Sequence, residues 1–512
     1  MLIFHPHIYL NAAGDTTDAL LVRQGRVVAT GDDARAGATS RDPVLRPDGA
    51  CLFPALGEAH IHLWGLGLRS GSVDLRGLHA GALLDTLQDQ SPGPSGWIFG
   101  HNWDEHHFQP DRPLTLARLD ALFPDTPVCL RRVDGHALWV NTAALNQTDF
   151  LSRYHPTPGG LVERAPDGTL TGRLVDAAME PLLERVPHPT EAEDRLVCKR
   201  TLSTLRSHGV AFCTLAFCPT DRVSMLTSLA RDADTDVFVD ALVDAEDRDL
   251  ETFLDRTTPG LVVPGASGLR VGGIKFFADG AMGSAGAHLL EDYRTGGRGL
   301  RLYEEGALKR RIPALMKRGW QVAVHAIGDA AAREVLDAFA AAPASLREAL
   351  RPRLEHAQIV APDDAPRFAA LQVIASIQPI HLRSDAPWAA RRLHPHQLDR
   401  LFAYRRLLPA VLAGGSDYPI DDINPWHGIA TAVSRQGADG VPFRPEEALT
   451  VSEALQAYTE GAAFAAHLEE DFGSLTPGHR AAIIALSDDP FSSSPQKIWD
   501  MQAHRLPVTP TT

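Results

Sequence analysis

Phe53-Pro54-Ala55-Leu56-Gly57-Glu58-Ala59-His60-Ile61-His62-Leu63 is the stretch that decides the fold. The run Cys51-Leu52-Phe53-Pro54-Ala55-Leu56 is mostly apolar, the pattern of a buried strand, and two histidines one residue apart follow it. Residues i and i+2 of a strand face the same side. His60 and His62 therefore point one way from the strand's C-terminal end, an arrangement that suits two imidazoles on one cation. An isolated pair of this kind is more often two ordinary polar residues at a strand end. The weight comes from what recurs along the chain.

Seven further apolar runs follow the first, which extends over Leu52–Leu63. They are Val210–Phe217, Val237–Val243, Val271–Phe277, Val322–Ile327, Leu354–Val360, Val373–Ile377 and Val411–Gly415. Helical patterns lie between later pairs. Ala330–Ala341, for example, has Ala332, Val335, Leu336 and Phe339 at i, i+3, i+4, i+7 spacing. Eight strand–helix units with near-continuous apolar strands predict an α/β protein built on a parallel (β/α)8 barrel of the TIM type. An open doubly wound sheet is the alternative. To bind a dinucleotide it would need a full Gly-rich fingerprint after its first strand, and Gly65-Leu66-Gly67 falls short of one. The gap between the first two runs is too long for a loop, so residues 64–200 are expected to form an inserted subdomain. Residues 1–51 and 466–512 read as the two parts of a small β-sandwich domain beside a barrel spanning 52–465.

The chain has 512 residues and a formal charge of −15, which argues against nucleic acid as a partner. No stretch of about 18 uninterrupted apolar residues is present, so no membrane span is expected. Met1-Leu2-Ile3-Phe4-His5-Pro6 lacks the basic and long apolar regions of a signal peptide. Five cysteines, few and odd in number and without a CxxC pair, point to a reduced, cytoplasmic setting.

Ligand-type residues stand where the strands end. Gly273-Ile274-Lys275-Phe276-Phe277-Ala278-Asp279-Gly280 places a lysine inside an apolar strand. Val322-Ala323-Val324-His325-Ala326-Ile327-Gly328-Asp329 and Arg353-Leu354-Glu355-His356-Ala357-Gln358 each carry a histidine, and Ala413-Gly414-Gly415-Ser416-Asp417-Tyr418-Pro419 ends in an aspartate. C-terminal strand ends form the active site of this fold. Singly, each residue has a plain reading: His325 and His356 as structural histidines, Lys275 paired with Asp279, Asp417 as a turn residue. Recurrence at the ends of five strands is hard to obtain by accident.

On these motifs the chain resembles the amidohydrolase superfamily, in particular its amidohydrolase family 3 branch, which includes N-substituted formamide deformylases. The resemblance covers nearly the whole chain. It is reinforced by Gly96-Trp97-Ile98-Phe99-Gly100-His101-Asn102-Trp103-Asp104, by Asp134-Gly135-His136-Ala137-Leu138-Trp139-Val140-Asn141 and by Gly159-Gly160-Leu161-Val162-Glu163. Gly57-Glu58-Ala59-His60 is a departure, since the family usually has an aspartate or serine just before Ala-His or His; it is expected to touch no ligand. The resemblance implies a two-metal site. His60 and His62 hold one ion with Asp417, His325 and His356 hold the other, and Lys275, carboxylated by CO2, bridges both. Mixed imidazole and carboxylate ligands suit zinc and also manganese, iron or nickel; the expected cofactor is a divalent metal, zinc before the others, at one or two ions per chain. The implied reaction is hydrolysis of a C–N bond in a small organic amide, such as an N-formyl or N-acyl amine. Asp417 and Lys275 are its catalytic residues, and Asp417 serves as general base and then acid. Esters, carbamates and cyclic amides are the alternative substrates, and a non-catalytic metal-binding barrel the alternative class. The insertion is expected to cap the barrel mouth, with Trp103, His136 and Trp139 as walls for a small-molecule substrate. A homodimer is left open.

Overall fold

The computed structural model describes residues 1–64, 72–93, 95–108, 114–156, 159–187, 190–232, 236–264 and 268–508; Gly65-Leu66-Gly67 lies outside them. Eight parallel strands form a nearly closed barrel: β1 (Leu56–Ile61), β2 (Val210–Cys218), β3 (Phe238–Asp244), β4 (Leu269–Phe277), β5 (Gln321–Ala326), β6 (Arg353–His356), β7 (Ile374–Ile377) and β8 (Leu412–Gly414). Each pairs with the next in chain order. The strands are buried along almost their whole length, as parallel strands covered by helices on the outside must be. The helix Asp329–Ala340, for instance, turns Ala332, Val335, Leu336 and Phe339 inward.

Two strand boundaries differ from expectation, each for a local reason. The run Leu52–Leu63 is not one strand. Cys51–Pro54 pairs with Ile483–Leu486 in a different sheet. The chain changes sheets at Ala55, whose N–H bonds to Ala482 O, and at Leu56, whose N–H bonds to Gly209 O beside β2. The run Leu354–Val360 is strand only to His356, because His356 and Ala357 take φ values of 76° and 44° and leave the pleat.

The two chain ends share one seven-strand sheet. It curls over on itself: Val27 N–H bonds to His479 O and Ala481 N–H to Gly25 O, around a core of Ile3, Ile8, Leu20, Val27, Leu52 and Ile483. The insertion after β1 is built on a six-strand sheet whose central members are Ile98–Trp103, Val128–Arg132, Ala137–Val140 and Leu170–Asp176. The helix Glu191–Ser207, opened by a capping box between Thr190 and Glu193, then packs Cys198, Leu202 and Leu205 into the barrel core. All five cysteines are buried. Among the described residues, no helix is long and apolar enough to cross a membrane.

β8 and β1 form no continuous ladder, and a side chain completes the seam. Asp417 N–H bonds to His60 O at 2.8 Å and His62 N–H to Tyr418 O at 2.9 Å. Below them the fully buried carboxylate of Glu58 accepts from His60 N–H at 3.0 Å and Ser416 N–H at 2.9 Å. Glu58 thus touches the backbone of a predicted ligand, contrary to expectation. Gly415 fits beside it because it has no side chain: a Cβ there would lie 2.5 Å from Glu58 Oε1 and 2.6 Å from His60 N. Burial pushes the Glu58 carboxyl up to about 7, against the pull of those two N–H donors. Its folded value is raised, so its contribution to stability is complete below the ordinary 4.5 and is lost as pH rises through about 7. Glu58→Ala should cost roughly 1–3 kcal/mol for each buried N–H left without an acceptor. Urea unfolding should show a larger loss at pH 5 than at pH 8; an equal loss at both would mean that Glu58 does not titrate in that range.

Candidate metal centre

The barrel brings the sequence-predicted ligand side chains to one place. His60 and His62 leave the end of β1 on one face, Lys275 lies near the end of β4, His325 in β5, His356 at the end of β6, and Asp417 three residues past β8. None is more than 6% exposed. His60 Nε2 is 3.4 Å and His62 Nε2 3.1 Å from Asp417 Oδ1. The ring of His356 lies 4.9 Å from that of His60 and 4.4 Å from that of His325. Lys275 Nζ sits 4.6 Å from the centroid of the Phe277 ring, and Phe277 lines the same cavity as the four histidines and Asp417. Glycine-like backbone helps at two positions. Strand alternation would turn His356 away from Glu355; its φ of 76° brings both toward His60, and Asp417 reaches inward with φ 57°. Such conformations are costly and cluster at functional sites.

The test of a metal here is the state of the donor atoms. His60 Nε2, Lys275 Nζ, His325 Nε2, His356 Nδ1 and Asp417 Oδ1 are all buried and make no hydrogen bond. Buried polar atoms are rarely left so, and four on residues of one cavity wall, with Lys275 Nζ beside Phe277 of that wall, all ligand types, fit a divalent cation centre. The electrostatics of His62, His325, His356 and Asp417 agree. Burial holds His325 and His356 well below the ordinary imidazole value and His62 below it, so these rings are neutral donors. Burial also penalises the Asp417 charge, yet His60 and His62 hold its carboxyl well below the usual range, and it is anionic. Burial brings the Lys275 ammonium down to about 8. A second group of carboxylates and imidazole, Asp104, Glu105 and His106, has similar spacing. It surrounds the buried guanidinium of Arg132, which bonds to Asp104 at 3.0 Å and Glu105 at 2.6 Å and already supplies the cation.

A layer behind the donors aims them. His60 Nδ1 lies 2.6 Å from Glu355 Oε2, which leaves Nε2 for the cavity. Glu355 also accepts from Arg353 Nε at 2.8 Å, and Arg353 donates to Ala59 O at 2.7 Å. Asp279 does not pair with Lys275, the plain reading of that lysine. Its oxygens accept the N–H groups of His288, Ile327 and Gly328 and so brace the loop after β5.

A family model described as amidohydrolase family matches residues 48–505. The chain belongs to the amidohydrolase family. YtcJ of Bacillus subtilis (strain 168) is 31% identical over 95% of this chain and 93% of its own. N-substituted formamide deformylase of Arthrobacter pascens is 27% identical over 98% and 95%. The crystal structure of an uncharacterized metal-dependent hydrolase from Pyrococcus horikoshii superimposes with a TM-score of 0.78 at 26% identity, covering 97% of this chain and 99% of that one. The protein is thus a metal-dependent hydrolase of the amidohydrolase superfamily.

In this amidohydrolase the inserted subdomain forms part of the cavity wall, through Asp104, Arg132, Val133, Asp134 and His136. His136 Nδ1 is 2.6 Å from Asp176 Oδ1, and its ring lies 5.3 Å from that of His325. Trp103 and Trp139 do not line this cavity. Both are core residues of the insertion, packed on each other at 5.1 Å, with their indole N–H groups given to Leu130 O and Thr171 O. Large aromatics in a subdomain that must make its own core serve that core first. Sequence reasoning missed Glu355 and Arg353, and it missed His381, whose Nε2 is 3.8 Å from Asp417 Oδ2 and has no hydrogen bond. The available signal was a polar and aromatic stripe, His381, Ser384, Asp385 and Trp388, at i, i+3, i+4, i+7 on the helix Ile380–Arg392.

Groups that orient a ligating histidine tune its affinity. Glu355→Gln, which weakens the bond to His60 Nδ1, should lower the affinity for zinc by roughly 10–100-fold without unfolding the barrel. Competition with a chromogenic chelator, beside circular dichroism, checks this; unchanged zinc affinity would detach Glu355 from the centre.

Proposed function

We propose that this amidohydrolase cleaves the C–N bond of a small organic amide, an N-formyl or N-acyl amine, in the cytoplasm. The observation that carries the reading is a set of five buried donor atoms without a hydrogen bond, four of them on residues that line one cavity and the fifth on Lys275 beside Phe277 of its wall. His60 and His62 with Asp417, and His325 with His356, would hold the metals, zinc being the first candidate. When bound, the metal supplies Lewis acidity: it makes water a nucleophile at neutral pH and polarises a carbonyl. Lys275 suits the bridging role. Buried and poised to lose its proton, its amine can attack CO2 and release a proton, becoming an anionic carbamate that two cations welcome where an ammonium would be repelled.

The rest belongs to the chain's own residues. Asp417 is anionic and faces the cavity, placed to accept the nucleophile's proton and return it to the leaving nitrogen. His136, its Nδ1 engaged by Asp176, presents Nε2 from the insertion side, where it can orient the substrate carbonyl. Phe277, Met282, Ile327, Trp388 and Ile420 give the cavity apolar surface, which suits a small organic molecule held by few directional contacts. The deformylase relative supports a formamide-like substrate.

A hydrolysis screen over N-formyl, N-acyl, carbamate and ester compounds with the zinc-loaded protein tests the reading, and turnover of esters alone would overturn it. Asp417→Asn should lower kcat by about 10²–10⁴-fold, the range of general acid–base catalysis; near-parent turnover would assign the proton to another group. Lys275→Ala should lose activity and bound metal, with partial rescue by a short carboxylic acid. Full metal content and full activity in that variant would remove the bridge.

A further inference from the structure

The cavity is chemically two-ended. At one end stand the histidines and Asp417. The remaining wall carries four carboxylates, Asp104, Asp134, Asp385 and Asp421, and one basic side chain, Arg132. Arg132 is already matched, since it bonds to Asp104, Glu105 and Asp134. Asp385 and Asp421 are in no ion pair among the described residues. Asp385 accepts only from an uncharged donor, Gln358 Nε2 at 2.6 Å, and Asp421 from Ser384 Oγ and the N–H of Asp422. Burial, followed by the charges of Asp421 and Asp104, drives the Asp385 carboxyl well above the usual range, so these groups stand close enough to repel.

Two further features mark this wall. His381 is 8% exposed, lines the same cavity, and its Nε2 has no hydrogen-bond partner. One helical turn on, Asp385 follows, and Trp388 after it. The Trp388 ring is fixed by stacking on His106 at 4.3 Å and 11°. The stripe therefore runs from the metal end to the acidic end, with a rigid aromatic at its far edge.

We propose that the substrate carries a cationic nitrogen, such as an ammonium, beyond the scissile bond, and that Asp385, Asp421 and Trp388 form its subsite. This rests on the amide-hydrolase reading and narrows it to N-acyl amines that hold a second, protonated nitrogen. A cation seated there relieves the repulsion between the two carboxylates and meets an indole, the strongest aromatic partner for a cation. An anionic group would meet Asp385 and Asp421 with no cation between them, and a neutral alkyl group would strip water from carboxylates without replacing it.

Binding, not turnover, tests it. The probes are two hydroxamates of equal length, one ending in an ammonium and one in a methyl group, titrated calorimetrically into zinc-loaded protein. The ammonium compound should bind at least about tenfold more tightly, the gain expected of a partly desolvated charge pair with cation–π contact. In Asp385→Asn and in Asp421→Asn that ratio should fall to within about threefold, as charge complementarity is removed. A ratio near one in the parent protein overturns the subsite. So does an equal loss of affinity for both probes in the variants, which would place the carboxylates in support of the metal end, and so does failure of either probe to bind. A failed hydrolysis screen leaves the affinity ratio measurable, so the two readings fail separately.

Discussion

Glu355 is the side chain on which the arrangement of the cavity most depends. It is a fully buried carboxylate shared between Arg353, next but one on its own strand, and His60 on β1. The guanidinium and the backbone carbonyl of Ala59 complete a path from β6 to β1. A buried charge of this kind is tolerable only when paired and fully bonded. Burial raises the Glu355 carboxyl, but Arg353 and His60 outweigh it and hold the group well below the usual range. The bond to Nδ1 settles which nitrogen of His60 faces the cavity. His60 is one of the imidazoles beside Asp417, so its placing at that end depends on the orientation of Glu355.

The seam between β8 and β1 shows the same economy of groups. A barrel closes only if its first and last strands meet, and here they meet in the few residues that also carry His60, His62 and Asp417. Each of the two main-chain bonds across the seam involves the backbone of a predicted ligand, Asp417 to His60 and His62 to Tyr418, and Glu58 bonds to the backbone of both sides below them. Closing the barrel and placing the ligands are therefore one event. Asp279 does the corresponding work after β5, where three backbone N–H groups converge on its carboxylate and hold the loop beyond His325.

Much of this could be read from the sequence where chemistry demands particular residue types at strand ends. The eight runs, the His60–His62 pair, Lys275 within an apolar strand and Asp417 past the last one belong to that class. The boundary at Ala55 did not announce itself, because Cys51–Leu56 is apolar throughout and two adjoining sheets bury it equally. Trp103 and Trp139 were read toward the cavity on residue type alone, whereas the insertion has to bury its own aromatics before it can offer any. Glu355 stands inside the motif that carries His356, but strand alternation gives no sign that both face His60; the φ of 76° at His356 accompanies that arrangement. His381, Ser384, Asp385 and Trp388 went unread because an apolar stripe at helical spacing signals a core, while a polar one is ordinarily taken for solvent. On a helix that follows a barrel strand, the same spacing can face the active site instead.

The cavity is thus assembled from parts with separate sources of stability. The ligand end belongs to strand termini inside the main core, where small shifts would break closure of the barrel. The acidic end is shared between the helix after β7, the segment after β8 that carries Asp421, and an insertion that has its own sheet and its own aromatic cores. What binds the two halves is compact: His106 stacked on Trp388, and Arg392 of the same helix 3.7 Å from Glu105 in the carboxylate group around Arg132. Arg132 lies over the ring of Trp103, 5.9 Å from its centroid, so the tryptophan supports the wall from behind even though it does not line the cavity. Residues on the insertion and on that helix face can vary while the barrel keeps the histidines and Asp417 in place. Loops at the C-terminal face of this fold permit that division of labour, and here it runs along the line between Asp417 and Asp385.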